Sequence, residues 1–204
     1  GIRGWFRRIN AYGERRGILV EHYIISSGLR EIIEGTAIAK DFTHIYASSF
    51  YYNEHGEPCW PAQVINYTNK TQFLFRIEKG ILDINDNAVN DHFAEGELRV
   101  PFRNIVYIGD SATDIPCMRL VNSLGGHSVG VYDLENTASK DTVRRMIRDE
   151  RIRYYVPADY TKGSEMDILI HRIIDKTAAY EVLEEKHLRD RKEAVGCNDR
   201  CHSS

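Results

Sequence analysis

The chain has 204 residues, of which 42% are hydrophobic and 28% charged, enough apolar material for one medium-sized domain with a core. Its formal net charge of −3 offers no basic excess to neutralise phosphates, which gives no reason to expect non-specific nucleic-acid binding and leaves small molecules as the expected ligands. No apolar run approaches the roughly 20 residues that span a bilayer, and Gly1-Ile2-Arg3-Gly4-Trp5-Phe6-Arg7-Arg8 has no signal-peptide core, so no membrane role is expected and the chain reads as cytoplasmic.

In chain order, strands and helices alternate from residue 17 onward. Residues 17–25 read as an apolar strand, followed by Ser26-Ser27-Gly28 and a helical segment over 29–33. Residues 45–52 and 63–67 read as two strands of a hairpin around Asn53-Glu54-His55-Gly56-Glu57-Pro58. Phe73, Leu74 and Ile77 have helical spacing over 70–79, and Gly80 is a natural C-terminal stop. Residues 104–108 are β-branched and aromatic enough for a buried strand, and 115–124 follow as a helix. A strand at 128–132, a charged helix at 136–151, a short strand at 154–157 and a long helix from 164 complete the pattern.

This alternation predicts an α/β fold: a three-layer, Rossmann-like parallel sheet with helices on both faces, plus a β-hairpin. The core is expected over 17–178, with 179–204 a charged C-terminal helix and a flexible tail past about residue 192. Cys59, Cys117, Cys197 and Cys201 lack the density of a disulfide scaffold, so reduced thiols are expected. Cys197, Cys201 and His202 supply too few ligands for a zinc finger.

Three positions on this scaffold carry candidate chemistry. Asp110 and Asp114 lie four positions apart in Gly109-Asp110-Ser111-Ala112-Thr113-Asp114, just after a strand, where hard oxygen ligands can hold Mg²⁺. The same residues also suit a plain turn, with Asp114 as a first-turn acid of the next helix. Ser26, Ser27 and Gly28 offer a hydroxyl and backbone N–H groups to a phosphate, or alternatively cap a helix. Lys70 opens a helix, where the macrodipole disfavours a cation unless an anion sits nearby; the alternative is an exposed lysine.

Taken in order, these motifs resemble the haloacid dehalogenase superfamily of phosphatases, and within it the phosphoserine-phosphatase-like branch. Tyr23-Ile24-Ile25-Ser26-Ser27-Gly28-Leu29 is similar to that family's second motif, Lys70 in Thr68-Asn69-Lys70-Thr71 to its third, and Gly109-Asp110 with Asp114 to its fourth. The resemblance implies a Mg²⁺-dependent phosphomonoesterase acting on a small phosphorylated metabolite through an aspartyl-phosphate. It implies that Ser26 with the backbone of Ser27 and Gly28 binds the phosphoryl group, that Lys70 neutralises charge there, that Asp110 ligates Mg²⁺, and that Asp114 supports the metal's waters or orients Lys70.

The family's first motif, Asp-x-Asp-x-Thr, supplies the nucleophile from a central strand, and no such motif precedes Ser26. Asp83-Ile84-Asn85-Asp86-Asn87 reads instead as a solvated loop. The resemblance therefore implies a chain without its nucleophile, inactive as it stands, with residues 1–16 as the end of a cap or linker. The strands ending at Ser26 and Gly109 would then have two apolar edges to be paired directly, covered, or buried by self-association as a homodimer. The other expectation is a phosphate-binding scaffold of the same fold without chemistry. The aromatic hairpin, with Tyr46, Phe50, Tyr51, Tyr52 and Trp60, suits either packing or an interface.

Overall fold

The computed structural model describes the backbone of residues 1–198 and side chains to residue 194. Its elements run in the order α1 (Ile2–Arg15), β1 (Tyr23–Leu29), α2 (Arg30–Glu34), β2 (His44–Tyr52), β3 (Pro58–Gln63), α3 (Lys70–Lys79), β4 (Val106–Gly109), α4 (Ile115–Ser123), β5 (His127–Tyr132), α5 (Thr137–Arg148), β6 (Tyr154–Pro157) and α6 (Glu165–Asn198). The α/β, helix-covered parallel architecture expected from the alternation is what forms.

The strands make two sheets of three, β1-β2-β3 and β4-β5-β6. β1 pairs parallel with β2, β2 antiparallel with β3, and β4, β5 and β6 pair parallel throughout. β5 is buried at every residue, the signature of a parallel strand covered on both faces. Alternation divides its contacts. Val129 and Val131 join Trp5, Phe6 and Ile9 of α1 and Met166, Ile170 and Ile173 of α6, whereas Tyr132 joins Met118 and Val121 of α4 and Val143 and Met146 of α5. Gly130 leaves room on the second face, where a Cβ would lie 2.7 Å from Ile152 and 3.2 Å from Val143.

Residues 1–16, to which the sequence assigns no regular element, form α1 and pack on α6. Tyr12 stacks on His171 with ring centroids 3.9 Å apart and donates to Asp175 at 2.8 Å. The second hairpin strand forms at Pro58–Gln63, earlier than the predicted 63–67. Two prolines argue against a strand from sequence, yet β3 pairs along one side only, so proline costs it little. The turn is held by Asn53, whose Oδ1 accepts from His55 N at 3.0 Å and Glu57 N at 2.9 Å. Tyr46 packs in the core, while Tyr51 and Trp60 are 63% and 71% exposed, so packing accounts for only part of the aromatic set.

α3 spans the predicted residues and ends at Gly80, whose φ of 74° is left-handed, with Ile81 N donating to the Arg76 carbonyl at 3.0 Å. The Asp83 to Asp86 loop is exposed, but its carbonyls are not free: Arg76 donates to those of Asp83 at 2.6 Å and Ile84 at 2.8 Å. α6 continues to Asn198, beyond the point where a loose tail is expected from sequence. Cys201 and His202 lie outside the described residues.

β1 and β4 are not paired with each other, nor does any other described strand pair with their free edges. Between them lies a cavity of about 780 Å³. It touches every consecutive residue from 20 to 26 and from 104 to 110. Side chains on a strand alternate between faces, so a cavity that meets each residue in turn borders the strand's edge. Trp5, Phe6 and Ile9 of α1 and Ile170, Ile173 and Ile174 of α6 line it too, as do Leu74 and Ile77 of α3. The two apolar edges are thus covered by helices and left open toward each other.

Candidate active site

At the C-terminal ends of β1 and β4 the cavity is lined by Ser26, Lys70, Asp110 and Asp114. Each is put there by a local device. Ser26 is the last residue of β1 in register with β2, opposite Ala47; the pairing resumes only at Leu29 opposite Ser48. Ser27 and Gly28 therefore form a bulge rather than the expected helix start, and both are exposed. The Ser26 hydroxyl accepts from Gly28 N at 3.0 Å, which leaves its own proton to donate. Ser26 faces the cavity, whereas Ser27 and Gly28 are not among its lining residues.

Lys70 is set by the turn before α3. Ile65 is 2% exposed and its N–H donates to Ser48 on β2 at 3.0 Å, anchoring the turn to the sheet. Asn66 Oδ1 accepts from Thr68 N at 2.8 Å, and Asn66 N donates to Asn69 Oδ1 at 2.8 Å, so the chain enters α3 in one conformation. The lysine that results is buried, only 6% exposed. Its ammonium donates to Asp114 Oδ1 at 2.7 Å, which is its one hydrogen bond among the described residues. An ammonium has three donors, so two point at no protein acceptor.

Asp114 closes a short 3₁₀ turn over Ala112–Asp114 and is 6% exposed. Oδ1 accepts from Lys70 and from the Tyr107 hydroxyl at 2.9 Å, and Oδ2 accepts from Ser111 at 3.1 Å. Asp110, by contrast, is exposed and takes no hydrogen bond among the described residues. The two carboxylates that look alike in sequence are thus differently employed: Asp114 is engaged by protein donors and Asp110 is free. Sequence reading missed Tyr107, which reads as a core aromatic because only the fold brings its hydroxyl to Asp114.

Electrostatics follow burial. Burial first, and the Asp114 carboxylate second, push the Tyr107 phenol far above its usual range, so it stays protonated. Burial pushes the Cys117 thiol beside it up to about 11. Tyr160, on the loop after β6, also lines the cavity and is raised by burial and by the Asp110 charge. His22, lining the cavity between Trp5 and Phe6, is lowered to about 4 by burial.

The family model described as haloacid dehalogenase-like hydrolase matches residues 2–119, more than half of the chain and all four residues at this cavity mouth. The chain belongs to the haloacid dehalogenase-like hydrolases. An uncharacterized protein of Borreliella burgdorferi is 25% identical over 183 residues, covering 81% of this chain and 62% of that protein. The chain thus spans less than two thirds of that relative's length. In this member of a hydrolase family, Lys70 at the start of α3 and the two acids on the segment after β4 line one cavity. Among the described residues no helix is long and apolar enough to cross a membrane, and no three His, Cys, Asp or Glu side chains cluster as a metal site.

The donor set suits Mg²⁺ all the same. That ion takes one or two protein carboxylates and fills its other positions with water and phosphate oxygens, so an exposed, unpartnered Asp110 is the kind of ligand it uses.

Proposed function

We propose that this chain forms the phosphate- and metal-binding side of a Mg²⁺-dependent phosphomonoesterase site, of the phosphoserine-phosphatase-like kind, acting on a small phosphorylated metabolite in the cytoplasm. The observation that carries the proposal is Lys70, a buried ammonium with one acceptor, Asp114, at the rim of the cavity that Asp110 and Ser26 also line. A buried cation with two unused donors is costly unless an anion completes it. A phosphoryl group meets that need with anionic oxygens that accept.

In this reading Lys70 donates to the phosphoryl oxygens while Asp114 holds it in place, and the Ser26 hydroxyl donates a further hydrogen bond. Asp110 would hold Mg²⁺, whose charge would offset that of the phosphoryl group. Preorganised charge of this kind is the main protein contribution to phosphoryl transfer. The attacking carboxylate, which would form an aspartyl-phosphate, is proposed to come from an apolar strand lying in the cavity between β1 and β4. The open edges of both strands support this, because a parallel strand seated there would end beside Lys70. On its own residues the chain is then expected to bind phosphate without turnover. The free thiols of Cys59 and Cys117 support a reducing, cytoplasmic setting.

A second reading, a phosphate-binding scaffold of this fold without chemistry, is favoured by one feature: among the described residues the acids lining this end of the cavity are Asp110 and Asp114, and Asp114 already accepts three hydrogen bonds from protein donors. Calorimetric titration with inorganic phosphate, with and without Mg²⁺, tests the shared core of both readings. Asp110→Asn is expected to remove the Mg²⁺-dependent part of the binding and leave the fold intact. Phosphate binding by the wild type that ignores both Mg²⁺ and Asp110→Asn would sink the metal assignment. Aryl phosphate hydrolysis by the chain alone would refute the external nucleophile. A longer form of the protein that binds phosphate yet never releases it from an ester would favour the scaffold.

A further inference from the structure

We infer that Tyr107 is a positioning residue of this site: its hydroxyl locks the Asp114 carboxylate so that Lys70 presents its remaining N–H donors to the anion. The inference rests on the phosphoryl-binding reading above and adds to it a residue that touches neither phosphate nor metal.

Tyr107 lies on β4, 8% exposed, two residues before Gly109 and so on the same face of the strand. Gly109 has no side chain to fill that face. A Cβ there would lie 2.8 Å from Asp114 Oδ2 and 2.9 Å from its Cγ, so the absence of one is what lets the carboxylate settle against the strand. Settled there, Oδ1 receives the Tyr107 hydroxyl at 2.9 Å and the Lys70 ammonium at 2.7 Å, while Ser111 holds Oδ2 at 3.1 Å. An ionised carboxylate only accepts, so in this contact the phenol O–H is the donor. Cys117, fully buried, packs in the same core cluster as Tyr107.

The arrangement has an electrostatic consequence. Asp114 shares its charge among three donors, and Lys70 is one claimant among them. Without the phenol, Oδ1 would answer to Lys70 alone. The ammonium would be drawn closer to its own counter-ion and would give less of its charge to a bound phosphate. Tyr107 therefore keeps the lysine aimed outward without contacting the ligand itself.

The test is a double-mutant cycle on the affinity for inorganic phosphate in saturating Mg²⁺, using Tyr107→Phe, Asp114→Asn and the pair together. Tyr107→Phe is expected to weaken phosphate binding about tenfold, the worth of one hydrogen bond to a charged group. In the Asp114→Asn background, where no carboxylate remains to be locked, the same change is expected to cost nothing further. An equal loss in both backgrounds would mean that Tyr107 acts only through packing, and would overturn the inference while leaving the phosphoryl site standing. So would wild-type affinity in Tyr107→Phe. If the wild type binds no phosphate, the underlying reading fails and the inference with it. The unsubstituted protein provides an independent readout should Tyr107→Phe not fold. Its Tyr107 hydroxyl proton is expected to exchange slowly, and its resonance to shift on adding phosphate and Mg²⁺; an unmoved resonance overturns the inference.

Discussion

Lowering the pH should destabilise this fold through His127, and the size of the effect follows from its surroundings. His127 opens β5 at 2% exposure, with Nε2 3.2 Å from the Lys176 ammonium. The lysine donates, so Nε2 must accept and the ring must be neutral; Nδ1 has no partner among the described residues. Burial first, then the nearby Lys176 and Arg153 charges, lower its pKa from 6.5 to about 4. A base that is harder to protonate when folded contributes stability that is complete above the unfolded value of 6.5 and is lost as pH falls toward 4. At about 1.36 kcal/mol per unit, the full window is worth about 3 kcal/mol, of which about 2 kcal/mol is gone by about pH 5. Urea unfolding of the wild type and of His127→Gln, at about pH 7 and about pH 5, isolates this contribution, because carboxylates and His22 titrate in both proteins. The wild type is expected to lose about 2 kcal/mol more than the variant. Losses that agree within about 0.5 kcal/mol would refute the reasoning, because the imidazole would then be protonated in the fold as easily as outside it.

At the site, Lys70→Met should abolish phosphate binding in the calorimetric titration. It should also lower stability by about 1–3 kcal/mol, since Asp114 keeps Tyr107 and Ser111 as donors but loses its counter-ion. Retained phosphate affinity would remove Lys70 from the site. At the end of α3, Gly80→Ala should cost about 1–2 kcal/mol in urea unfolding, because φ is 74° and the new Cβ would sit 2.9 Å from Arg99 Cδ. A change near zero would mean that the helix end can give way without loss.

Much of the fold was legible because its elements carry local signals. α3 has helical apolar spacing and a glycine stop, and β5 is a continuous β-rich run, so neither needs the rest of the chain to be recognised. α1 carries the same spacing in Trp5, Phe6 and Ile9, and reading residues 1–16 as the end of a cap or linker passes over that local signal; what only the fold decides is that this face packs on α6 and β5. β3 was misplaced because the tolerance of a strand for proline depends on whether its other edge is paired, which is a tertiary fact.

The candidate site divides along the same line. Motif order alone picked out Ser26, Lys70, Asp110 and Asp114, because each lies where a strand ends or a helix begins, and such positions are marked by local residue chemistry. What those residues do to one another was decided by tertiary structure. Only in the fold does Asp114 collect Lys70, Tyr107 and Ser111 while Asp110 stays free: Ser111 and Tyr107 are three and seven positions away, but Lys70 is 44 away and reaches Asp114 only because of how α3 is set beside β4. The unpaired edges of β1 and β4 belong to the same category. Residue pattern marks a strand as apolar and buried, but which edge finds a partner is a property of the assembled sheet.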